Sequence, residues 1–470
     1  ALAAQRRWAL ELADRSLDLV VADDQVDLLD VLVREQNNLT DVLRHALSVA
    51  DREVVARLVA LLGSLWTITG DQPRIFAICD PATELLTGWD VPDHLTRHAQ
   101  EAAGVLMIHL SWMPGVDLSG LRDLLVQGEP VGAWGLVART VHVATEPADV
   151  SVRLAEVAAR QPTALAGALL MWAAIVGENL GDVATARARA EQALALGPLP
   201  PYLTASVHAE LSQLAMAVGD HHGAARHAEI AWPLLARVHS LTDSYSLRMA
   251  TAISPLLDGD VERAAAMLAE FGEPDETAQM GARLTWLTAQ AELAIARGDH
   301  AGAIRRYDDI VAMVVETDTA GGINPWLMLA ASAALVARAR HGAHDTDPRA
   351  AELRDLLVGS TDTLVDDSLW FTDLPLNGVM LVALATWVLR FGPADQHEDG
   401  VRLLAFAHRW AYNRSIPVMA WEPMVELADT ALPGRVDQLV EELADRPGMA
   451  LLPGAAEVVD RLRRLWLTSS

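Results

Sequence analysis

Histidine is the residue type in this chain best suited to binding a metal, but the histidine spacing argues against a metal site. His221, His222 and His227 form the densest group. Zinc needs ligands that converge on one point, and His222 and His227, five residues apart, would lie on different faces of a helix. No His-Glu-x-x-His motif occurs. We therefore interpret these histidines as solvent-facing and predict no metal site.

Paired carboxylates could act as general acid and base, yet the pairs in this chain are adjacent in sequence. Consecutive residues of a helix point about 100° apart, which is too far for a close acid–base dyad. The pairs are Asp308-Asp309, Asp366-Asp367 and Glu441-Glu442. We interpret them as solvated helix faces.

The chain contains no lysine, because all 36 basic residues are arginine. This excludes Schiff-base chemistry and the lysine of a phosphate-binding loop. The sequence also lacks a Gly-x-Ser-x-Gly nucleophile elbow. We predict that the segment is not an enzyme and binds no cofactor.

The charge balance excludes a simple nucleic-acid binder. The 470 residues include 63 carboxylates and 36 basic residues, giving a formal charge of −27. Such a field repels a phosphate backbone unless a basic stripe overrides it. The densest basic groups are only Arg6-Arg7, Arg305-Arg306, and Arg461 with Arg463 and Arg464.

Neither a membrane span nor a disulfide is expected. The longest apolar stretches, 164–177 and 378–389, are shorter than a bilayer requires and favour buried helices. The single Cys79 has no internal partner, which fits a reducing cytoplasm. The fourteen tryptophans could line a binding groove, but Trp172, Trp232, Trp286 and Trp387 lie in apolar segments, which favours core packing.

A repeated Gly-Asp pair is the strongest feature of organisation. The glycines are Gly181, Gly219, Gly259 and Gly298, spaced by 38, 40 and 39 residues, and each pair is followed after three residues by alanine. Glycine can end one helix in a left-handed conformation, and aspartate can cap the next. Small or apolar residues recur four and seven positions after the alanine, on one helix face. This pattern predicts four antiparallel helical hairpins that resemble tetratricopeptide repeats.

The flanking sequence also indicates helices, so the predicted fold is an all-α solenoid of helical hairpins. We divide it into an N-terminal helical segment (1–160), the four phased hairpins (161–320) and C-terminal helical hairpins (321–470). Long helices are predicted at 3–20, 24–48 and 51–68, and helix-breaking prolines at Asp80-Pro81, Val91-Pro92 and Met113-Pro114. Loops are predicted at 341–348 and 359–373.

Residues near the N-terminus carry a family resemblance. Glu35-Gln36-Asn37-Asn38-Leu39, with later Leu65-Trp66 and Gly70, resembles the acidic-x-x-Asn-Leu helix pair that opens the C-terminal helical domain of STAND-class signal-transducing ATPases. The segment is most similar to AfsR/SARP-type and LuxR-type transcriptional regulators of actinobacteria. Late in the chain, Gly400-Val401-Arg402-Leu403-Leu404 resembles that family's Ala-x-x-Leu-Leu-Gly-x-Ala helix, with Ala405 where glycine is usual.

The resemblance implies a sensor or autoinhibitory arm of a larger regulator, and we interpret the segment as a fragment of one. Its partner would be a protein or peptide, or the regulator's own ATPase module. The alternative is a small-molecule inducer bound in a pocket inside the superhelix. A cytoplasmic location follows from either hypothesis.

A hairpin solenoid binds along its concave wall, which the first helix of each hairpin lines. The tetratricopeptide register predicts eight residues on that wall: Met171, Ile175, Glu178, Gln213, Met216, Thr288, Glu292 and Ile295. A groove that mixes methionine with glutamate and glutamine suits an amphipathic helix or peptide. The other interpretation is that these positions contact only neighbouring repeats.

The charge balance gives a first testable expectation. The protein should show no nanomolar binding to duplex DNA at physiological salt, because its carboxylates outnumber its arginines. Fluorescence anisotropy with a labelled duplex measures this directly. Nanomolar binding that persists at physiological salt would contradict the exclusion of nucleic acid.

Overall fold

The Gly-Asp turns organise the middle of the fold. The computed structural model describes residues 2–111, 116–129, 131–143, 146–274, 280–317, 324–342, 344, 346–360 and 372–467. Over these residues the chain forms 23 α-helices and no β-strand, so the predicted all-α class is confirmed. Consecutive helices pack on one another along the chain, as they do in a helical solenoid. The likeness to tetratricopeptide repeats stays a prediction.

The N-terminal segment contains eight helices. They are α1 (Leu2–Arg15), α2 (Gln25–Ser48), α3 (Arg52–Thr69), α4 (Gln72–Leu86), α5 (Thr96–Leu110), α6 (Ser119–Leu125), α7 (Ala133–Val143) and α8 (Pro147–Ala158). The predicted helices at 24–48 and 51–68 are confirmed as α2 and α3. The first helix ends at Arg15, before the predicted residue 20, and a short 3-10 turn follows at Leu19–Val21.

The predicted break at Asp80-Pro81 is wrong, because α4 continues through Pro81. Pro81 lacks the N–H that would bond to the carbonyl of Ala77, but both residues are exposed, so water can reach that carbonyl. The opposite face of the helix is buried through Ile75, Ile78 and Ala82. Burial of that face therefore maintains the helix. The break at Met113-Pro114 lies outside the described residues.

The four predicted hairpins are present. They are formed by α9 (Thr163–Asn179) with α10 (Val183–Ala195), α11 (Pro201–Ala217) with α12 (His221–Arg237), α13 (Leu241–Leu257) with α14 (Val261–Phe271), and α15 (Met280–Ala296) with α16 (His300–Thr317). All four turn glycines have positive φ, between 69° and 82°. In each turn the aspartate N–H donates to the carbonyl five residues earlier at 2.9 Å. Its Oδ1 accepts the N–H three residues later at 2.7–3.1 Å. Both features match the predicted turn chemistry.

The alanines after the turns lie in the helix–helix contacts. All four are at most 2% exposed: Ala186, Ala224, Ala264 and Ala303. The residues four positions later are also buried: Ala190, Ala228, Leu268 and Tyr307. The predicted inner face of each second helix is therefore confirmed.

Seven α-helices lie in the described part of the C-terminal segment. They are α17 (Pro325–His341), α18 (Pro348–Ser360), α19 (Leu374–Phe391), α20 (His397–Arg409), α21 (Trp421–Ala431), α22 (Arg435–Leu443) and α23 (Leu452–Leu467). Most of the predicted connection at 359–373 lies outside the described residues. By length and composition α19 could cross a membrane, but 83% of its apolar window is buried inside the fold, as in a core helix.

Buried apolar side chains form three clusters rather than one core. They extend over Ala9–Val238, Met249–Leu293 and Leu284–Leu462. This is expected when each hairpin buries its apolar face mainly against its neighbours. The division at residues 160 and 320 stays a prediction.

Substituting a turn glycine should destabilise the fold through its backbone conformation alone. At Gly259, φ is +81° and a Cβ would meet no atom within 4 Å. We expect Gly259→Ala to cost about 1 kcal/mol, because a Cβ disfavours the left-handed region. Gly359 in α18 is the matched control, since a Cβ there is also free of contacts and φ is not positive. Gly359→Ala should be neutral or slightly stabilising in urea denaturation; equal losses in the two variants would contradict the turn mechanism.

Candidate functional site

A cavity of about 440 Å³ lies on the wall formed by the first helices of the hairpins. Residues of α11, α13, α15 and α17 line it, together with Asn413, Ser415 and Ile416 from the segment after α20. Tyr202, at the start of α11, is held there because its N–H donates to Gln25 Oε1 at 2.8 Å. The cavity therefore joins elements that are distant in sequence.

The C-terminal segment lies against the hairpins through polar contacts to the backbone. Arg409 Nη1 donates to the carbonyl of Gly181 at 2.9 Å. The N–H of Val418 donates to Glu292 Oε1 at 3.0 Å, and Arg340 donates to the carbonyl of Val418. These contacts position Asn413–Ile416 as one side of the cavity.

Each first helix contributes a carboxyl group to the inner wall. Glu178 lies on α9, Glu210 on α11, Asp243 on α13 and Glu292 on α15. Burial raises the pKa of Glu178 and of Glu292 to about 7. Burial, followed by the charge of Glu178, raises the pKa of Glu210 well above its ordinary value. The wall is therefore an environment that disfavours negative charge.

Three of the five carboxyls on or behind this wall accept hydrogen bonds from backbone N–H or hydroxyl groups. Glu292 accepts hydrogen bonds from Tyr307 Oη and Val418 N. Asp243 accepts one from Ser240 Oγ at 2.8 Å. Asp373, whose pKa burial raises to about 6, caps α19 by accepting the Leu376 N–H at 2.8 Å.

Glu178 and Glu210 form the remaining pair, and they face each other. Glu178 accepts a hydrogen bond from Gln213 Nε2. The two carboxyls are close enough to interact by a hydrogen bond when one of them is protonated. Asp373 adds a further negative charge near Glu178. Like charges this close, away from water, favour a state in which at least one proton is retained.

The eight residues predicted on the concave wall divide into two groups. Gln213, Met216 and Thr288 line the cavity, and Glu178 contacts it through Gln213. The other four belong to helix packing: Met171 and Glu292 are buried, and Ile175 and Ile295 pack against the apolar clusters. Ligand binding by the first group stays a prediction.

Sequence reasoning missed several residues of the cavity. Glu210 is three positions before Gln213, so the helical register that placed Gln213 could have found it. No local sequence pattern predicts that Trp326, which is 43% exposed, or the Asn413–Ile416 segment lines the cavity. The four tryptophans interpreted as core residues are all buried or half-buried.

The histidines are arranged differently from the sequence-based interpretation. His221 and His222 meet Asp258, with Nε2 to Oδ1 distances of 3.6 and 3.4 Å, and one ligand atom from each of the three lies within 4.8 Å of the others. Two imidazoles and a carboxylate are a donor set that zinc accepts, but His222 and Asp258 are exposed, where an ion pair needs no metal. His227 is half-buried, and its Nδ1 lies 2.9 Å from Nδ1 of His208.

The paired carboxylates also differ in part from their interpretation as solvated faces. Asp308 is half-buried and forms ion pairs with Arg338 and Arg349. Glu441-Glu442 is exposed, as predicted. Asp366-Asp367 lies outside the described residues.

No protein-family model matches the chain, and no curated protein matches it at a significant level. The described residues form an array of helical hairpins whose inner wall is lined by carboxyl groups.

The facing carboxyls predict a pH-dependent stability. A carboxyl whose pKa is raised by folding destabilises the folded state increasingly as pH rises toward and through that pKa. The pKa values of Glu101, Glu178 and Glu292 are all raised to about 7, so the free energy of unfolding should rise as pH falls from 8 to 6.5. Below about pH 6.5 the trend should weaken, because half-buried histidines such as His109, whose pKa desolvation lowers to about 4, take up protons in the unfolded chain.

The Glu178→Gln variant tests the contribution of the pair. It should reduce the change in unfolding free energy between pH 8 and 6.5 by about 1 kcal/mol, measured by urea denaturation at both pH values. Glu229→Gln, at an exposed position of α12, is the control and should leave the change unaltered. If the Glu178 variant retains the full pH dependence of the wild type, the assigned raised pKa is wrong.

Proposed function

We propose that this segment is a non-catalytic sensor arm of a multidomain ATPase-type transcriptional regulator, and that it binds a small molecule in the cavity of its inner wall. The observation that carries the proposal is the cavity itself. Its volume falls in the range of small-molecule sites, and its lining mixes apolar side chains with a few polar groups.

The position of the C-terminal segment favours a small ligand over an extended peptide. Arg409 and Val418 bond to Gly181 and to Glu292, so residues of the chain itself already occupy part of the inner wall. A peptide along that wall would have to displace them. A small molecule needs only the space between α11, α13, α15 and α17.

A protein or peptide partner remains the second candidate, on a specific observation. The backbone N–H and carbonyl of Val418 are both bound by side chains, Glu292 and Arg340. Val418 lies in a 3-10 turn, Pro417–Met419. Side chains that hold the backbone of this turn could hold the backbone of a partner that replaces it. Such a partner, including the regulator's own ATPase module, would compete with residues 409–419.

The regulator class rests on the sequence resemblance alone. Three residues that carry it, Leu39 in α2 and Leu65 and Trp66 in α3, are at most 1% exposed, so their pattern also serves packing. Ligand binding would be coupled to the nucleotide switch of the ATPase module if the ligand binds one arrangement of the C-terminal segment better than another. The buried thiol of Cys79 and the absence of nucleic-acid-binding charge accord with a cytoplasmic regulator.

Filling the cavity tests the proposal. Ala250 of α13 lines the cavity, so Ala250→Phe should abolish the thermal stabilisation that a pool of small metabolites gives to the wild type. At a hundredfold excess over Kd that stabilisation corresponds to about 2.7 kcal/mol. Ala296→Phe is the control, because Ala296 is exposed and outside the lining.

Two outcomes would contradict a small-molecule receptor. One is a metabolite pool that leaves the wild-type thermal midpoint unchanged. The other is a stabilising ligand that acts equally on wild type and Ala250→Phe. Capture of a basic or amphipathic peptide that competes with residues 409–419 would instead support the second candidate.

A further inference from the structure

Glu210 differs from the other acidic side chains of the inner wall because one of its oxygens is buried and, among the described residues, has no hydrogen-bond donor. The residue is 8% exposed and lines the cavity. Among the described residues, no group donates a hydrogen bond to its Oε1. A buried acceptor without a donor costs free energy that a ligand can recover by supplying the donor.

The cavity has no positive charge of its own to offer Glu210. The described residues that line it include two carboxylates, Glu210 and Asp243, and no arginine. The nearby arginines are engaged elsewhere: Arg248 lies over the ring of Phe271 at 4.2 Å, and Arg414 over the ring of Tyr412 at 5.0 Å. Without a ligand, the positive charge available to the Glu178–Glu210 pair is the proton that it retains, and a cationic ligand can replace that proton.

The rest of the lining suits a carbon skeleton attached to that positive group. Met216, Met249, Ile253 and Leu284 supply apolar surface. Trp326, 43% exposed, presents an aromatic ring, which attracts both apolar groups and cations. A bare metal ion fits poorly, because hard cations require many oxygen ligands.

We propose that the cavity binds an organic ammonium ion with an apolar or aromatic body, and that the Glu210 carboxylate receives the ammonium group. Asp243, on the next first helix, carries the second negative charge of the site. The inference rests on the proposed function, since it names the ligand class of the same cavity. The ligand contacts α11, α13 and the Asn413–Ile416 segment at once.

Three probes of similar shape and different charge test the assignment by isothermal titration calorimetry. Tryptamine is the cation, 3-propylindole the neutral analogue and indole-3-propionate the anion. The wild type should bind tryptamine at least about tenfold more tightly than 3-propylindole, and the anion most weakly. Equal affinity for the cation and the neutral analogue, or no binding of tryptamine at millimolar concentration, would overturn the proposal.

Glu210→Gln keeps the shape of the side chain and removes its charge. It should weaken tryptamine at least about tenfold and leave 3-propylindole unchanged, while Glu229→Gln, exposed on α12, should change neither. Asp243→Asn provides a second variant with a smaller expected loss if Glu210→Gln fails to fold. Wild-type affinity for tryptamine in both cavity variants would overturn the role of these carboxylates.

The two proposals fail in different ways. If a neutral or anionic metabolite stabilises the wild type but not Ala250→Phe, and tryptamine does not bind, the cavity is a receptor site and only the ammonium assignment is wrong. If neither the probes nor any metabolite binds, both proposals are wrong. If a basic peptide binds and tryptamine does not, the ammonium assignment is also wrong.

Discussion

The chain reversal at each Gly-Asp pair is the constraint on which the hairpin array depends. A helix end leaves several carbonyls and N–H groups without partners, and in an array these ends recur every few dozen residues. The left-handed glycine lets the aspartate N–H bond back into the helix that ends, while its carboxylate bonds forward into the helix that begins. One dipeptide thus satisfies both ends and sets the angle at which the alanine faces meet. Four such turns with the same geometry place four first helices side by side.

That arrangement has an electrostatic consequence. Three first helices carry a carboxyl that their neighbours withdraw from water: Glu178, Glu210 and Glu292, each at most 8% exposed. Glu292 is compensated by donors from α16 and from the C-terminal segment. Glu178 and Glu210 are less well compensated: Glu178 accepts a hydrogen bond from Gln213, and among the described residues nothing donates to the buried Oε1 of Glu210. Burying facing carboxyls costs stability, so their presence is easier to understand as a feature of binding than of folding.

The sequence was sufficient for the hairpins and insufficient for the cavity, for a physical reason. Turns and alanine faces depend on local spacing, so Gly259 with Asp260 and Ala264 could be placed from the sequence alone. Pro81 was misjudged because spacing does not reveal that the carbonyl it frees faces water. Closure of the cavity depends on contacts such as Arg409 to Gly181, which are 228 residues apart and leave no local pattern. Register alone also cannot tell which inner-wall residues, such as Met171 or Met216, face a neighbour and which face the cavity.

These long-range contacts determine how a bound ligand could be sensed. A ligand between α11 and the Asn413–Ile416 segment would stabilise whichever position of that segment it contacts. To shift the segment from about 99% in one position to about 99% in the other, a ligand must bind one position about 10⁴-fold more tightly than the other. Contacts with apolar groups on α13 or α15 alone cannot supply this difference, because they are the same in both positions of the segment. An ammonium group at Glu210 could contribute, since the energy of that ion pair depends on how completely Asn413–Ile416 excludes water from the cavity. Under the proposed function, the Asn413–Ile416 segment would therefore be the sensing element, and the hairpins would be the frame against which it moves.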